Sequence, residues 1–209
     1  MKKAIILFNL GGPDKLESVE PFLFNLFNDP AILNLPKFIR YPLAKLISKR
    51  RTPIAKKIYQ EIGGSSPILK LTKEQANSLE NSLNSKQNTT EYKTFIAMRC
   101  WHPRASETLQ EVKKYNPEEI ILLPLYPQYS AATSGSSLLE WKDLANKSNL
   151  NISTKIIFCY PEEKKFIKAH SKLIIEKIRG IKYNSNGEET KNFKMDGMAI
   201  FLSDSLKVT

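Results

Sequence analysis

Within 20 residues this chain places Lys49-Arg50-Arg51-Thr52-Pro53, Tyr59 and Gly63-Gly64-Ser65-Ser66-Pro67. A guanidinium grips a carboxylate through two parallel hydrogen bonds. A phenol adds an aromatic face with a hydroxyl, and a flexible Gly-Ser loop adds further hydroxyls. Together they suit a flat apolar ligand that carries carboxylates. The plainer account is surface charge beside a tyrosine packed by one face. Thr52-Pro53 predicts a helix cap with proline in the first turn, and arginine just before a helix start works against the helix dipole. That cost argues for a binding role.

Two other segments gather reactive side chains. Arg99-Cys100-Trp101-His102-Pro103 sets a cation, a thiol, an indole and an imidazole side by side. Cys100 and His102 alone are too few for a structural zinc site. His170, the other histidine, reads as a boundary residue on a Lys-rich helix. Tyr126, Tyr129 and Ser130, then Thr133, Ser134, Ser136 and Ser137, suit either a helix cap or a pocket wall. Gly63-Gly64 is not followed by the Lys-Ser/Thr of a phosphate loop, and Gly11-Gly12-Pro13 is not a dinucleotide fingerprint.

The elements that must hold these groups alternate. Strand-like runs cover 4–10, 92–98, 119–125 and 154–160. Helical patterns begin after Ser18, over 38–47 with an interruption near Pro42, from Thr52-Pro53 to about Gly63, and from a Thr72/Gln75 capping box. Others span 106–115, 137–146 and 162–179. This order predicts an α/β fold, a parallel β-sheet with helices on both faces. Ligands of such sheets bind beyond the carboxyl ends of the strands, where the Gly-Gly-Pro turn, Arg99–Pro103 and Tyr126–Ser130 all fall. Residues 1–183 read as one domain, and 184–209 as a polar linker and tail with one short strand.

Composition narrows the class. With 41% apolar and 25% charged residues among 209, the chain is an ordinary globular protein. Its net charge of +11, from 32 Lys and Arg against 21 Asp and Glu, suits an anionic partner. No nucleic-acid motif accompanies it, so no nucleic acid is expected. The seven-residue apolar run after Met1-Lys2-Lys3 is a first strand rather than a signal peptide. Cys100 and Cys159 lack metal or disulfide spacing, which fits a reducing, cytoplasmic setting.

Four strings in order carry a resemblance: Phe8-Asn9-Leu10-Gly11-Gly12-Pro13, the stretch from Lys49 to Pro67, Met98-Arg99-Cys100-Trp101-His102-Pro103, and Leu125-Tyr126-Pro127-Gln128-Tyr129-Ser130 running on to Ser137. They resemble the N-terminal half of the ferrochelatases, which insert ferrous iron into protoporphyrin IX to form haem. The resemblance covers roughly residues 1–180. It implies a chelatase-like, Rossmann-like layer, porphyrin contacts at Arg51, Tyr59 and Ser66, and pocket positions at Arg99, Tyr129 and Leu10. Ferrous iron enters as substrate, with no prosthetic group. Peripheral membrane contact and a complementing C-terminal half remain open.

Metal insertion removes two N–H protons from the porphyrin and needs a base near neutrality, for which imidazole is suited. In the family that histidine follows a strand as Ser-x-His-[Gly/Ser]-Leu-Pro, and a glutamate comes later. Here residues 198–203 are followed by Asp204-Ser205-Leu206, which sets Ser205 at the histidine's place. No catalytic residue is expected. The resulting expectation is a C-terminally truncated lyase-family chain, inactive alone; the alternative is a non-enzymatic porphyrin- or haem-binding protein.

Overall fold

A computed structural model describes residues 1–85 and 89–180, with side chains through 176. It divides into a first compact unit, Met1–Tyr160, and a second beginning at Pro161. The expected tail over 184–209, including its strand and Ser205, lies outside the described residues.

The first unit is built on four parallel strands, β1 (Lys2–Asn9), β2 (Glu91–Met98), β3 (Glu119–Pro124) and β4 (Ser153–Ile156), in the order β2-β1-β3-β4. β1 is central, and Ala4 to Phe8 are buried without alternation, as a strand covered on both faces requires. On one face Ala4, Ile6, Phe8, Phe95, Ala97, Ile120 and Leu122 pack against α4 (Ala105–Tyr115) and α5 (Ser136–Lys147) through Leu109, Val112, Leu138 and Trp141. On the other, Ile5 and Leu7 meet Ala76, Leu79 and Leu83 of α3 (Ile68–Asn84). The helices thus lie on both faces, as the βα order predicts.

β2 is an edge strand whose outward backbone groups are covered by side chains. Asn84 pairs with both N–H and C=O of Tyr92, Glu80 accepts from the Thr94 N–H at 2.6 Å, and Thr108 donates to the Ile96 carbonyl. Such covering blocks pairing with a foreign strand.

Three sequence expectations are corrected. Thr52-Pro53 does not start a helix: α2 runs unbroken from Lys37 to Glu61 with Pro42 and Pro53 inside it. Both prolines are on exposed positions, so the carbonyls deprived of an N–H donor reach water. Thr52 is buried and donates to the Ser48 carbonyl at 2.8 Å instead of capping. Nor does the apolar side of the 38–47 pattern, Phe38, Ile39, Leu43, Leu46 and Ile47, form the buried face; Phe38, Ile39 and Leu46 are exposed, while Ala44, Ser48 and Thr52 are buried. Thr72 lies inside α3, donating to Ile68 and accepting from Asn9.

α2 packs against α1 (Val19–Phe27) rather than on the sheet, with Phe24 edge-on to Tyr41 at 5.2 Å. It ends where Gly63 and Gly64 turn to φ of +97° and +86°, a conformation glycine adopts without strain. In the second unit, α6 (Lys164–Gly180) exposes Ile167, Leu173, Ile174 and Ile175. No described helix is long and apolar enough to cross a membrane.

Candidate functional site

Every strand-end segment singled out in the sequence leaves the same edge of the sheet. After β1 the chain turns at Gly11, φ +85°, where an added Cβ would lie 3.1 Å from both Met98 Cβ and the Trp101 nitrogen. Gly12 is tighter still, since its Cβ would stand within 2.4 Å of Ser66 Oγ. The Ser66 N–H donates to the Pro13 carbonyl, and Asn9 reaches Thr72 in α3. The two glycines thus let the Ser66 loop and the start of β2's exit close on one turn, which fixes Ser66 at the rim.

The α1–α2 hairpin forms the facing wall. Val19, Phe22, Leu23 and Cys100 are a buried cluster, and Leu10, Phe27, Tyr59 and Trp101 are half-buried against it. Leu10 and Tyr59 are therefore brought together, with an indole that the sequence reading did not single out as a site residue. Tyr59 faces inward while Ile58 is exposed, and burial raises the Tyr59 phenol above its ordinary range. Exposed Arg51 stands over the Phe27 ring at 5.9 Å, close enough for a cation–π contact. Its guanidinium projects from the same wall as Tyr59, two helical turns away. Trp101 Nε1 donates to Asp14 at 3.1 Å, and the Ser18 hydroxyl, chiefly, holds the Asp14 carboxyl below the usual range.

Arg99 belongs to a different arrangement. Its Nε donates to Ser136 Oγ at 2.6 Å, Nη1 to Glu140 at 3.2 Å, and Nη2 pairs with Asp29 at 3.0 Å. Ser136 donates in turn to Asp29, and Arg104 shares Glu140. The Arg99 side chain is 14% exposed and its nitrogens are engaged by the protein. Arg99, given a pocket position by the resemblance, is held here by Ser136, Glu140 and Asp29. Tyr129 is exposed, and its hydroxyl would meet a Gly135 Cβ at 2.8 Å, beside Ser136. The expected site residues thus fall in three groups: Leu10, Arg51 and Tyr59 along one wall, Ser66 against the Gly12-Pro13 turn, and Arg99 and Tyr129 flanking Gly135-Ser136.

Tyr126 is half-buried by residue, yet its hydroxyl is enclosed without a protein partner, as are those of Ser134 and Ser137. Burial, foremost, pushes the Tyr126 phenol upward. Burial also raises the Cys100 thiol to about 11, so without a metal it stays protonated near neutrality. His102 is exposed, with Nδ1 2.9 and 3.0 Å from the two Glu107 oxygens and its ring edge-on to Trp101. Among the described residues no three His, Cys, Asp or Glu gather as a metal site. A cavity of about 710 Å³ runs along the outer edge of β2, between α3 and α4. It shares Ser66 and Trp101 with the rim but not Leu10, Arg51, Tyr59 or Tyr129, so it is a side chamber rather than the cleft.

The residues that sequence reasoning passed over are Asp29 and Glu140, which hold Arg99 together with Ser136. An Asp before proline reads as a turn, and nothing local in the sequence ties Asp29 to a residue 70 positions on.

Comparison with known proteins fits this geometry. A family model described as ferrochelatase matches residues 2–193. The ferrochelatase of Pelagibacter ubique is 62% identical over 199 residues, 93% of this chain and 58% of that protein. That of Wolbachia sp. subsp. Drosophila simulans is 55% identical over 174 residues, covering 83% and 55% respectively. That of Rickettsia bellii is 54% identical over 176 residues, covering 84% and 48%. The chain spans about half the length of the curated relatives it matches.

Proposed function

The chain belongs to the ferrochelatase family, and from that premise we propose that it holds protoporphyrin IX for ferrous-iron insertion in haem biosynthesis. The observation that carries this reading is the wall where Leu10, Phe27, Tyr59 and Trp101 meet on one apolar cluster, bordered by exposed Arg51. An apolar macrocycle lies against such a wall by burying ring surface, on the order of 25 cal/mol per Å². Arg51 supplies a fixed cation for a propionate, and Ser66 a hydroxyl beside the Gly12 turn. Porphyrin and ferrous iron are both substrates. The chain's own residues bind and orient the ring, and none described here is assigned to remove its N–H protons. His102, oriented by Glu107, lines the side chamber with Ser66 rather than the wall.

A hydrophobic ligand also gives a reason to meet a membrane at its surface. α2 carries eight Lys and Arg against one Glu, and exposes Phe38, Tyr41, Leu46, Ile54 and Ile58. Basic groups among exposed apolar ones favour the interface of an anionic bilayer, and this helix also bears Arg51 and Tyr59.

Titrating protoporphyrin IX into the purified chain, with and without ferrous iron, tests the reading through the porphyrin absorbance bands. Metalloporphyrin formation makes the chain active alone. Binding without product leaves it a porphyrin holder that needs further residues for chemistry. An unchanged spectrum at saturating protein sinks the reading.

A further inference from the structure

We propose that Asp29 is a positioning residue for the porphyrin wall, acting through Arg99 to set where the α1–α2 hairpin stands above the strand ends. This rests on the porphyrin reading above.

Asp29 is 3% exposed and sits two residues beyond α1. One carboxylate oxygen accepts from the Ala31 N–H at 2.9 Å, closing the turn that leads to α2. The other accepts from both Arg99 and Ser136, at 3.0 and 2.6 Å. A single side chain therefore joins the end of α1 to the exit of β2 and the first turn of α5. Glu140 holds Arg99 and Arg104 on the far side, so two cations and two carboxylates balance, with Asp29 at the buried end of the network. Breaking one partner of such a set leaves a buried charge uncompensated.

This joint acts on the hairpin because α2 packs mainly on α1, and it adds to the contacts that Asn25 and the α1 side chains make with Cys100. Phe27, directly before the C-cap Asn28, carries Arg51 over its ring and shares a cluster with Tyr59. A shift at Asp29 moves Phe27 first, and Arg51 and Tyr59 with it, while Leu10 and Trp101 stay on the sheet. The wall would open between its two halves. Arg99, expected as a ligand contact, becomes the anchor that Asp29 pulls against.

The test measures binding of two porphyrins by the full chain in one detergent: protoporphyrin IX, and an alkyl porphyrin without carboxylates. Asp29→Asn keeps the size and the turn but removes a negative charge. Through space alone, that loss would tighten binding of a dicarboxylate. Positioning predicts the reverse: both porphyrins weaken by a similar factor, about tenfold for residues coupled in one network. Arg51→Ala weakens only the carboxylated one. The double variant Asp29→Asn with Arg99→Met binds no worse than the poorer single variant, because the two act as a unit. Should Asp29→Asn not fold, Ser136→Ala decides, since it removes only the bridging hydroxyl and predicts a smaller loss shared by both porphyrins. Wild-type binding with the folded variants unchanged, or with only the dicarboxylate affected, overturns the inference and spares the porphyrin reading. A wild-type chain that binds neither porphyrin removes both.

Discussion

A missing methyl group says most about how the rim is made. At Gly12 a Cβ would collide with Ser66 Oγ and Cβ, at 2.4 and 2.5 Å, and Ser66 is held by its backbone bond to Pro13. Gly12→Ala must therefore displace the loop, at a cost of about 1–3 kcal/mol, the usual range for overpacking. Denaturant unfolding reads that loss, and weaker protoporphyrin binding should accompany it. Gly63 is the control: nothing lies within 4 Å, though φ is +97°. Ala there costs about 1–2 kcal/mol in backbone strain and leaves the rim alone, so affinity in the folded protein should not change. Arg51→Ala should behave in the opposite way. The side chain is exposed and its ring contact is with Phe27, so stability changes by no more than about 1 kcal/mol. Losing a charged hydrogen bond to a propionate weakens binding by about 1.5–3 kcal/mol. Equal affinity of wild type and Arg51→Ala for protoporphyrin IX would remove Arg51 from the site.

Among the elements, strands were the most legible. β1, β2 and β3 fall within two residues of the expected bounds, β1 and β3 because buried parallel strands leave apolar runs. Exposed β4 ends at Ile156, short of the expected 160. α2 was the least legible. Pro42 and Pro53 are local signals to stop, and they lose to the tertiary environment because solvent satisfies the carbonyls they orphan. Apolar spacing misled as well, since the face α2 buries is made of Ala44, Ser48 and Thr52, small residues that let helices approach. Arg99 shows the same limit at the site: the resemblance implies a pocket position for it, and only the fold brings Asp29 and Ser136 to it. The reading of Pro53 has a direct check. Pro53→Ala restores an N–H donor inside α2, where an interior proline ordinarily costs about 3 kcal/mol. Part of that should return as a higher unfolding midpoint. A lower midpoint would mean that Pro53 shapes the helix rather than being tolerated in it.

For the first unit as a whole, two charge patterns carry different duties. Glu119 at the start of β3 meets Lys3 of β1 at 2.8 Å and Lys155 of β4 at 2.7 Å, stitching three strands. Hydrogen bonds from Lys155 and then Lys3 hold its carboxyl below the usual range. A depressed acid contributes stability above its unfolded pKa, and that contribution fades as pH falls through the lower folded value. Unfolding midpoints measured from pH 6 downward should thus decline below about pH 4.3, the ordinary glutamate value. Glu119→Gln should flatten that limb.

The second pattern concerns where the molecule settles. α2 holds seven of the chain's eleven net positive charges, from eight Lys and Arg and one Glu. A cationic helix with exposed aromatic and aliphatic groups has two separable attractions to an anionic bilayer, one electrostatic and one apolar. The electrostatic part is worth about 1 kcal/mol per basic group near the surface and decays within a Debye length. The apolar part does not depend on salt. Co-sedimentation with phosphatidylserine-containing vesicles should therefore fall as salt rises but not vanish. Pairing Phe38→Ser with Ile54→Ser, both exposed, should remove the salt-resistant remainder while leaving the fold intact. Replacing Lys49 and Arg50 with Gln should lower the salt-sensitive part only. Equal binding to neutral and anionic vesicles would deny the charge on α2 any part in it. Because Arg51 and Tyr59 ride on the same helix, bound vesicles should also change the rate at which protoporphyrin is taken up, and a rate unaffected by lipid would separate the membrane surface from the porphyrin wall.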